Sequence, residues 1–181
     1  MNHFYNIYYF IDKFDSNEIL NLNKRVNLIY RNYQNINPDI EIKKIKYFCK
    51  LHKRKIFISN NLKMALKYDL DGLYIPSFNK NLNYKNISFK KNFKIIGSAH
   101  SQIEVKIKEK QGCSFVFISP IFKTPKKSLH LGIIKFNLIS LNSLISTIAL
   151  GGINQENIKQ LNCTNIKGFA GISWIKKTGL Q

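Results

Sequence analysis

Short apolar runs rich in β-branched residues recur along the chain at intervals of roughly twenty-odd residues, separated by segments of helical or turn-forming character. These runs predict eight strands, at about residues 4–11, 26–31, 55–59, 72–76, 94–98, 115–118, 146–150 and 167–172. The runs are almost continuously apolar, which is typical of strands that are buried on both faces of a parallel sheet.

The clearest predicted helix lies between the second and third strands, over residues 39–53. Lysines cover one face of this helix. The apolar side chains share a stripe on the opposite face: Ile42, Ile45, Phe48 and Cys49. Pro38 stands just before the segment, where proline is compatible with a helix start.

A second helix is predicted over residues 101–111, after the fifth strand. Ser101 and Glu104 have the spacing of a capping box, and Gly112 is placed to end the helix. The pattern predicts that Ile103 and Ile107 face inward.

Alternating strands and helices with parallel pairing favour an α/β fold, and eight such units favour a closed (β/α)8 TIM barrel over residues 1–181 as one domain. An open doubly wound sheet is the alternative, but no GxGxxG follows the first strand. The barrel is small, so we expect at most a short helix in residues 79–92. A short or missing last helix in residues 174–181 would leave one wall uncovered, and a second subunit could close it.

The charge is strongly positive, with 29 Lys+Arg against 10 Asp+Glu and a net charge of +19 over 181 residues. A strongly basic protein suggests nucleic-acid binding as the first function to consider. However, the lysines are spread along the chain among many Asn and Ile residues, a bias that a low-GC genome produces by itself. Because no recognition module or aromatic platform is visible, we expect no nucleic-acid partner, and a positive field that attracts small phosphorylated molecules.

Other classes of protein are disfavoured. The most apolar long segment, residues 138–150, is interrupted by Ser, Asn and Thr, so no membrane span is expected. The apolar N-terminus lacks a preceding Lys or Arg and a cleavage site, so we interpret it as a strand and expect a cytoplasmic protein. Three widely spaced cysteines favour neither a disulfide framework nor a structural metal: Cys49, Cys113 and Cys163.

Two glycine-containing segments follow the seventh and eighth predicted strands. Gly151 and Gly152 come directly after a buried strand, and Ile172 and Ser173 follow Gly171 in the same way. In barrel enzymes the loops after these two strands commonly bind phosphate through backbone N–H groups. The alternative is a pair of tight turns without a ligand.

Further candidate residues follow the fifth and sixth strands. Ser98 and His100 lie where the fifth strand ends, which is the catalytic end of a barrel. The loop after the sixth strand carries Thr124 and Lys127, which are suited to binding a diphosphate or carboxylate. The alternatives are a structural histidine and a solvated basic loop.

Taken in order, residues 97–101, Gly112 with residues 115–127, and residues 149–153 resemble the thiamine phosphate synthase and TenI superfamily. The resemblance is good over residues 55–175 and weak over the first fifty. It implies a (β/α)8 barrel that binds the phosphorylated thiazole half of thiamine. In the synthase branch it further implies Mg2+ and an aminopyrimidine diphosphate, which is joined to the thiazole with release of pyrophosphate.

The resemblance also assigns roles to individual residues. A phosphate cradle is implied at Gly151, Gly152, Ile172 and Ser173, and contacts to the diphosphate at Thr124 and Lys127. Asn60 matches the asparagine at the end of the third strand, and Arg31 is retained after the second.

The departures from the synthase pattern lie on the metal and diphosphate side. Asn61 stands where synthases have a metal-binding Asp, and residues 72–79 contain no second carboxylate. Tyr33 replaces the lysine partner of Arg31. A neutral amide does not supply the charge that Mg2+ prefers, so a synthase activity would need Asp69, Asp71 or another acid to reach the metal.

These departures favour the TenI branch, in which the resemblance implies metal-free aromatisation of a thiazole carboxylate phosphate by proton transfer. The turn at residues 75–77 is TenI-like, and an imidazole such as that of His100 can move the proton. The candidate catalytic residues are His100 and Lys127, with no cofactor. The alternatives are a Mg2+-dependent thiamine phosphate synthase and a non-catalytic thiazole phosphate binder. Expected partners are phosphorylated thiazole or aminopyrimidine molecules, and a homo-oligomer is left open.

Overall fold

Eight parallel strands form a closed barrel in a computed structural model of the chain, which describes residues 6–125 and 128–180 except for the side chains of Lys85 and Asn86. The strands are β1 Asn6–Ile11, β2 Val26–Tyr30, β3 Ile56–Ser59, β4 Gly72–Ile75, β5 Lys94–Ala99, β6 Phe115–Ile118, β7 Ser146–Leu150 and β8 Gly168–Gly171. Each strand pairs with the next in sequence, and β8 pairs with β1. The predicted small (β/α)8 barrel and its eight strands are confirmed.

Six α-helices and two 3-10 segments lie between the described strands and after β8. The helices are α1 Ser16–Leu20, α2 Asp39–Leu51, α3 Leu62–Lys67, α4 Gln102–Lys110, α5 Gly132–Leu141 and α6 Ser173–Thr178. The 3-10 segments, Asn83–Asn86 and Ile158–Cys163, occupy the connections after β4 and β7. The abbreviated connection after β4 and the short α6 are as predicted, whereas the 3-10 segment after β7 was not expected. Together they account for the small size of the barrel.

The two predicted helices form, and the second differs in its buried face. In α2, Ile42, Ile45 and Cys49 are buried as expected. In α4, Ile103 is 75% exposed, so its predicted inward orientation is wrong. The face that packs against the barrel is instead centred on Val105 and Lys108, because hydrogen bonds inside the protein satisfy the buried lysine.

The start of α4 is a modified capping box. The Ser101 side chain accepts the N–H of Glu104, as predicted. The Glu104 carboxylate accepts the N–H of His100 instead of that of Ser101. The box is thus displaced by one residue, and it ties the backbone of His100 to the first turn of α4.

The inside of the barrel is filled with side chains, most of them large. Nine buried residues meet there: Tyr8, Phe10, Ile29, Phe57, Tyr74, Ile96, Phe117, Ile148 and Ala170. The rings pack edge to face, with centroids 5.0 Å apart for Tyr8 and Phe117 and 5.3 Å apart for Phe10 and Tyr74. A ligand is therefore accommodated at an end of the barrel and not along its axis.

Helix α5 exposes an apolar face on the outer surface. Ile134, Leu138 and Leu141 of α5 are exposed, while Phe136 of the same helix is fully buried. Helix α5 precedes β7, so it is not the wall next to the short last helix where an uncovered surface was predicted. A homo-oligomer stays a prediction. No helix in the described ranges has the length and apolarity needed to cross a membrane.

Candidate functional site

The predicted site residues that the structure describes come together at one end of the barrel. Parallel strands place all their carboxyl ends at the same mouth. The residues at these ends or in the loops that follow are Arg31, Asn60, Ser98, His100, Thr124, Gly151, Gly152, Ile172 and Ser173. Lys127 lies outside the described residues, so its predicted catalytic role stays a prediction.

His100 is held by the backbone of the next strand. Its Nδ1 lies 2.7 Å from the carbonyl oxygen of Ser119 and 3.2 Å from the hydroxyl of the same residue. Because a carbonyl oxygen only accepts, Nδ1 carries the hydrogen in this arrangement. In the neutral imidazole this tautomer leaves the lone pair on Nε2, where the exposed ring can act as a base. Sequence reasoning missed Ser119, although the residue stands in the motif that carries the resemblance.

The glycine turn after β7 is packed against the loop after β6. The carbonyl oxygens of Leu150 and Gly151 accept the N–H groups of Ile121 and Phe122, at 3.0 and 3.1 Å. Gly151 and Gly152 have positive φ angles of 95° and 73°. Their own N–H groups make no hydrogen bond with the described residues. The close packing of this turn is a reason for glycine at both positions even without a ligand, which was the alternative interpretation. Phosphate binding at the turn stays a prediction.

The remaining predicted phosphate ligands lie at the rim. Ile172 is the N-cap residue of α6, without a side-chain capping bond, and both Ile172 and Ser173 are exposed. Thr124 is half-buried in the loop after β6. Ile172 and Ser173 are thus exposed at the rim, and phosphate binding at these positions and at Thr124 stays a prediction.

The floor of the mouth contains a buried tyrosine that sequence reasoning did not assign to the site. Burial raises the pKa of Tyr74 to about 12, while its hydrogen bond with Ser98 and the charge of Arg31 act in the opposite direction. The phenol is therefore protonated at neutral pH. The Arg31 guanidinium carbon lies 4.7 Å from the centroid of the Phe10 ring, a cation–π contact that places positive charge on the floor.

The β3 side of the mouth is built from amides. Asn61 is the N-cap of α3 and accepts the N–H of Met64 at 3.0 Å. Asn60 accepts a hydrogen bond of 2.6 Å from the side chain of Asn79, which also donates to the Tyr84 hydroxyl at 3.0 Å. Asn61 thus has a structural role at the position where the resemblance expects a metal-binding Asp.

A pocket of about 180 Å³ opens between the ends of β2 and β3. It is lined by uncharged side chains: Tyr30, Asn32, Tyr33, Asn35, Pro38, Ile58, Ser59, Asn60 and Asn61. This half of the mouth can solvate a polar group with hydroxyls and amides, but the pocket contributes no carboxylate.

Asp69 and Asp71 cannot supply the missing acid. Both precede β4, so they lie at the amino end of the barrel, away from the mouth. Asp69 pairs with Lys90, and Asp71 accepts the N–H of Ile56 at 2.9 Å. The suggestion that either residue rebuilds a metal site at the mouth is wrong, because the direction of β4 separates them from it.

The donor set at the mouth does not fit the Mg2+ that the synthase branch implies. Mg2+ takes oxygen ligands that include carboxylates, and Asn61 and the β4 end provide none. Within residues 6–125 and 128–180, no group of three or more His, Cys, Asp or Glu side chains is suited to a metal ion.

Comparison with known proteins agrees with this architecture. Residues 24–175 match the TMP-TENI family model, described as thiamine monophosphate synthase. The chain belongs to this family. It is 34% identical over 144 residues to a thiamine-phosphate synthase of Prochlorococcus marinus, covering 75% of the chain and 40% of the relative. It is 33% identical over 135 residues to the putative thiamine-phosphate synthase 2 of Aquifex aeolicus, covering 72% and 71%. The matched region thus spans less than half of the first relative and most of the second.

A solved structure with a similar fold supports the architecture. The thiamine phosphate pyrophosphorylase from Pyrococcus furiosus matches with a TM-score of 0.74 and 20% identity, covering 96% of this chain and 91% of the other. Membership in the family associates the chain with thiamine biosynthesis. The names of the relatives agree better with the synthase alternative than with the favoured tautomerase hypothesis.

The capping role of Asn61 is testable by substitution. We expect Asn61→Ala to lower the free energy of unfolding by about 1 kcal/mol, because the N–H of Met64 loses its acceptor. Asn61→Asp should stay within about 0.5 kcal/mol of the wild type, since Asp caps equally well. Urea denaturation measures both values. Equal losses in the two variants would show that Asn61 has no capping role.

Proposed function

We propose that the chain is a thiamine-biosynthetic isomerase that aromatises a thiazole carboxylate phosphate by metal-free proton transfer at His100. The observation that carries the proposal is the hydrogen bond of 2.7 Å between His100 Nδ1 and the Ser119 carbonyl oxygen. In the neutral imidazole this hydrogen bond leaves the lone pair on Nε2 at the mouth. The β3 side of the same mouth is lined by the neutral amides of Asn60 and Asn61. Proton transfer between two carbon or nitrogen positions needs a base and no metal.

The reaction is balanced by one proton. Nε2 of His100 takes a proton from the ring of the non-aromatic substrate, and the imidazolium that forms returns a proton at a second position. Substrate and product are isomers, so no leaving group departs. The Ser119 carbonyl stabilises the imidazolium by accepting the Nδ1 hydrogen throughout.

Anion binding divides between the two sides of the mouth. We assign the phosphate to the turns of Gly151 and Gly152 and of Ile172 and Ser173, whose backbone N–H groups are suited to donate to an anion. Arg31 on the floor is placed to bind the carboxylate of the substrate. The net charge of +19 attracts such a dianionic or trianionic molecule.

A thiamine phosphate synthase is the second candidate function, and the names of the curated relatives favour it. It requires the aminopyrimidine diphosphate and Mg2+ to bind at a mouth that has no carboxylate at position 61 or in residues 72–79. The two candidates therefore predict different metal dependence of ligand binding.

Isothermal titration calorimetry of the purified protein tests the proposal. The ligands are the thiazole phosphate, the aminopyrimidine diphosphate and thiamine phosphate, each with Mg2+ and with EDTA. We expect the thiazole phosphate to bind equally in both conditions, and proton NMR to show isomerisation of the thiazole carboxylate phosphate. Binding of the aminopyrimidine diphosphate only with Mg2+, with formation of thiamine phosphate, would overturn the isomerase and support the synthase.

A further inference from the structure

The ammonium group of Lys108 lies inside the protein, behind the mouth. The side chain is fully buried on α4. Nζ donates to the carbonyl oxygens of Pro76 and Asn79, at 2.8 Å each, and to Oε1 of Gln111 at 3.0 Å. Among the described residues it has no salt bridge. A buried charge that is neutralised only by carbonyl dipoles is costly, so it is a candidate for a specific role.

Two further residues adapt the protein to this lysine. The side-chain NH2 of Gln111 donates to the carbonyl oxygens of Asn79 and Asn81, at 3.0 and 2.8 Å. A Cβ at Gly97 would lie 2.7 Å from Cδ of Lys108, so the strand leaves room for the lysine by lacking a side chain. Together Lys108 and Gln111 bind carbonyl groups of the loop of residues 76–81.

The loop that they hold connects the strand ends on the amide side of the mouth. Its Asn79 donates to Oδ1 of Asn60. Its Phe78 packs edge to face against Tyr33, with ring centroids 6.0 Å apart. The NH2 group of Asn60 makes no hydrogen bond with the described residues, so it is oriented by Asn79 and left to donate to a ligand oxygen.

Two of the three groups that accept from the ammonium keep another donor without it. The Pro76 carbonyl also accepts the N–H of Asn79, and the Asn79 carbonyl also accepts from Gln111. Oε1 of the buried Gln111 is the one of the three that loses its donor. Burial lowers the pKa of Lys108 to about 8, against the opposing effects of Cys113 and Glu104. Loss of this costly charge and loss of its hydrogen bonds therefore offset each other in stability.

We propose that Lys108 is a positioning residue of the site, which fixes the loop after β4 so that Asn79 presents the Asn60 amide to an acceptor oxygen of the substrate. The proposal rests on the proposed function for the identity of that substrate. In this proposal the buried ammonium of Lys108 keeps the loop after β4 in contact with Asn60 at the end of β3.

Lys108→Met tests the proposal, with Lys110→Met as a control that removes an exposed lysine from the same helix. We expect faster hydrogen exchange, by about tenfold, at the amides of Asn79, Asn81 and Asn83. The Kd for the thiazole phosphate should rise about tenfold, with Tm within a few degrees of the wild type. Lys110→Met should change none of the three. A fall in Tm with unchanged loop exchange and unchanged Kd would overturn the proposal, because it indicates a purely structural lysine.

A double-mutant cycle with Asn79→Ala shows whether Lys108 acts through Asn79. We expect the double variant to bind no more weakly than Asn79→Ala alone, whereas additive losses would overturn the proposal. If Lys108→Met does not fold, Asn79→Ala alone decides, and wild-type affinity in it would overturn the proposal. If the wild-type protein does not bind the thiazole phosphate, the proposed function fails, and loop exchange in Lys108→Met still decides whether the lysine holds the loop.

Discussion

Replacement of His100 by Asn is expected to slow the isomerisation by a factor of about 10² to 10⁴ while the affinity for the thiazole phosphate changes by less than about threefold. An asparagine amide can still donate to the Ser119 carbonyl oxygen, so the local hydrogen bond is conserved. It provides no basic nitrogen in place of Nε2. The variant thus removes the base and leaves the architecture of the mouth unchanged.

Single-turnover NMR of the isomerisation and calorimetric titration measure the two quantities separately. His52→Ala is the matched control, because it removes a histidine that follows α2, before β3 begins. His100→Ala provides a second test, in which the Ser119 hydrogen bond is lost as well. An unchanged rate in both His100 variants would exclude the isomerase mechanism. If the wild-type protein binds the thiazole phosphate but shows no isomerisation, and the variants bind equally well, the protein is a thiazole phosphate binder.

Gly152→Ala is expected to lower the free energy of unfolding by about 3 kcal/mol or more. A Cβ there would lie 2.5 Å from the Phe122 carbonyl oxygen and closer still to that of Lys123. These are backbone atoms that cannot rotate away. The φ angle of +73° adds a conformational penalty, and the loop after β6 would have to move away from the predicted phosphate cradle.

Gly112→Ala separates the two contributions to this loss. Gly112 has a φ of +77°, but no atom lies within 4 Å of the position of its Cβ. We expect it to lose only about 1 to 2 kcal/mol, the conformational penalty alone. Urea denaturation gives both values, and equal losses would show that the loop after β6 yields to the added methyl group without cost.

Most of the fold could be predicted from the order of apolar runs. Strands buried on both faces need a continuous apolar stretch, and the chain has eight. The same topology predicts that His100 and Gly152 share one end of the barrel. It also places Asp69 and Asp71 at the other end, because they precede the fourth run. That conclusion required only the direction of the strand.

The features that could not be predicted from the sequence depend on contacts between distant parts of the chain. Lys108 has the composition of a solvated helix face, and its burial depends on carbonyl groups 29 and 32 residues earlier in the sequence. The inward prediction for Ile103 failed for the same reason. Likewise, the tautomer of His100 is set by a carbonyl 19 residues away. Local periodicity carries no information about such partners.

The filled barrel interior has an evolutionary consequence. Tyr8, Phe57 and Phe117 pack the axis below the mouth, so a bound molecule contacts loop residues and the uppermost side chains alone. Selection can then exchange one ligand for another by replacing a few loop residues, without repacking the aromatic centre on which folding depends. The amide at position 61 illustrates this independence, since it alters the chemistry of the rim while the eight strands beneath it keep their register.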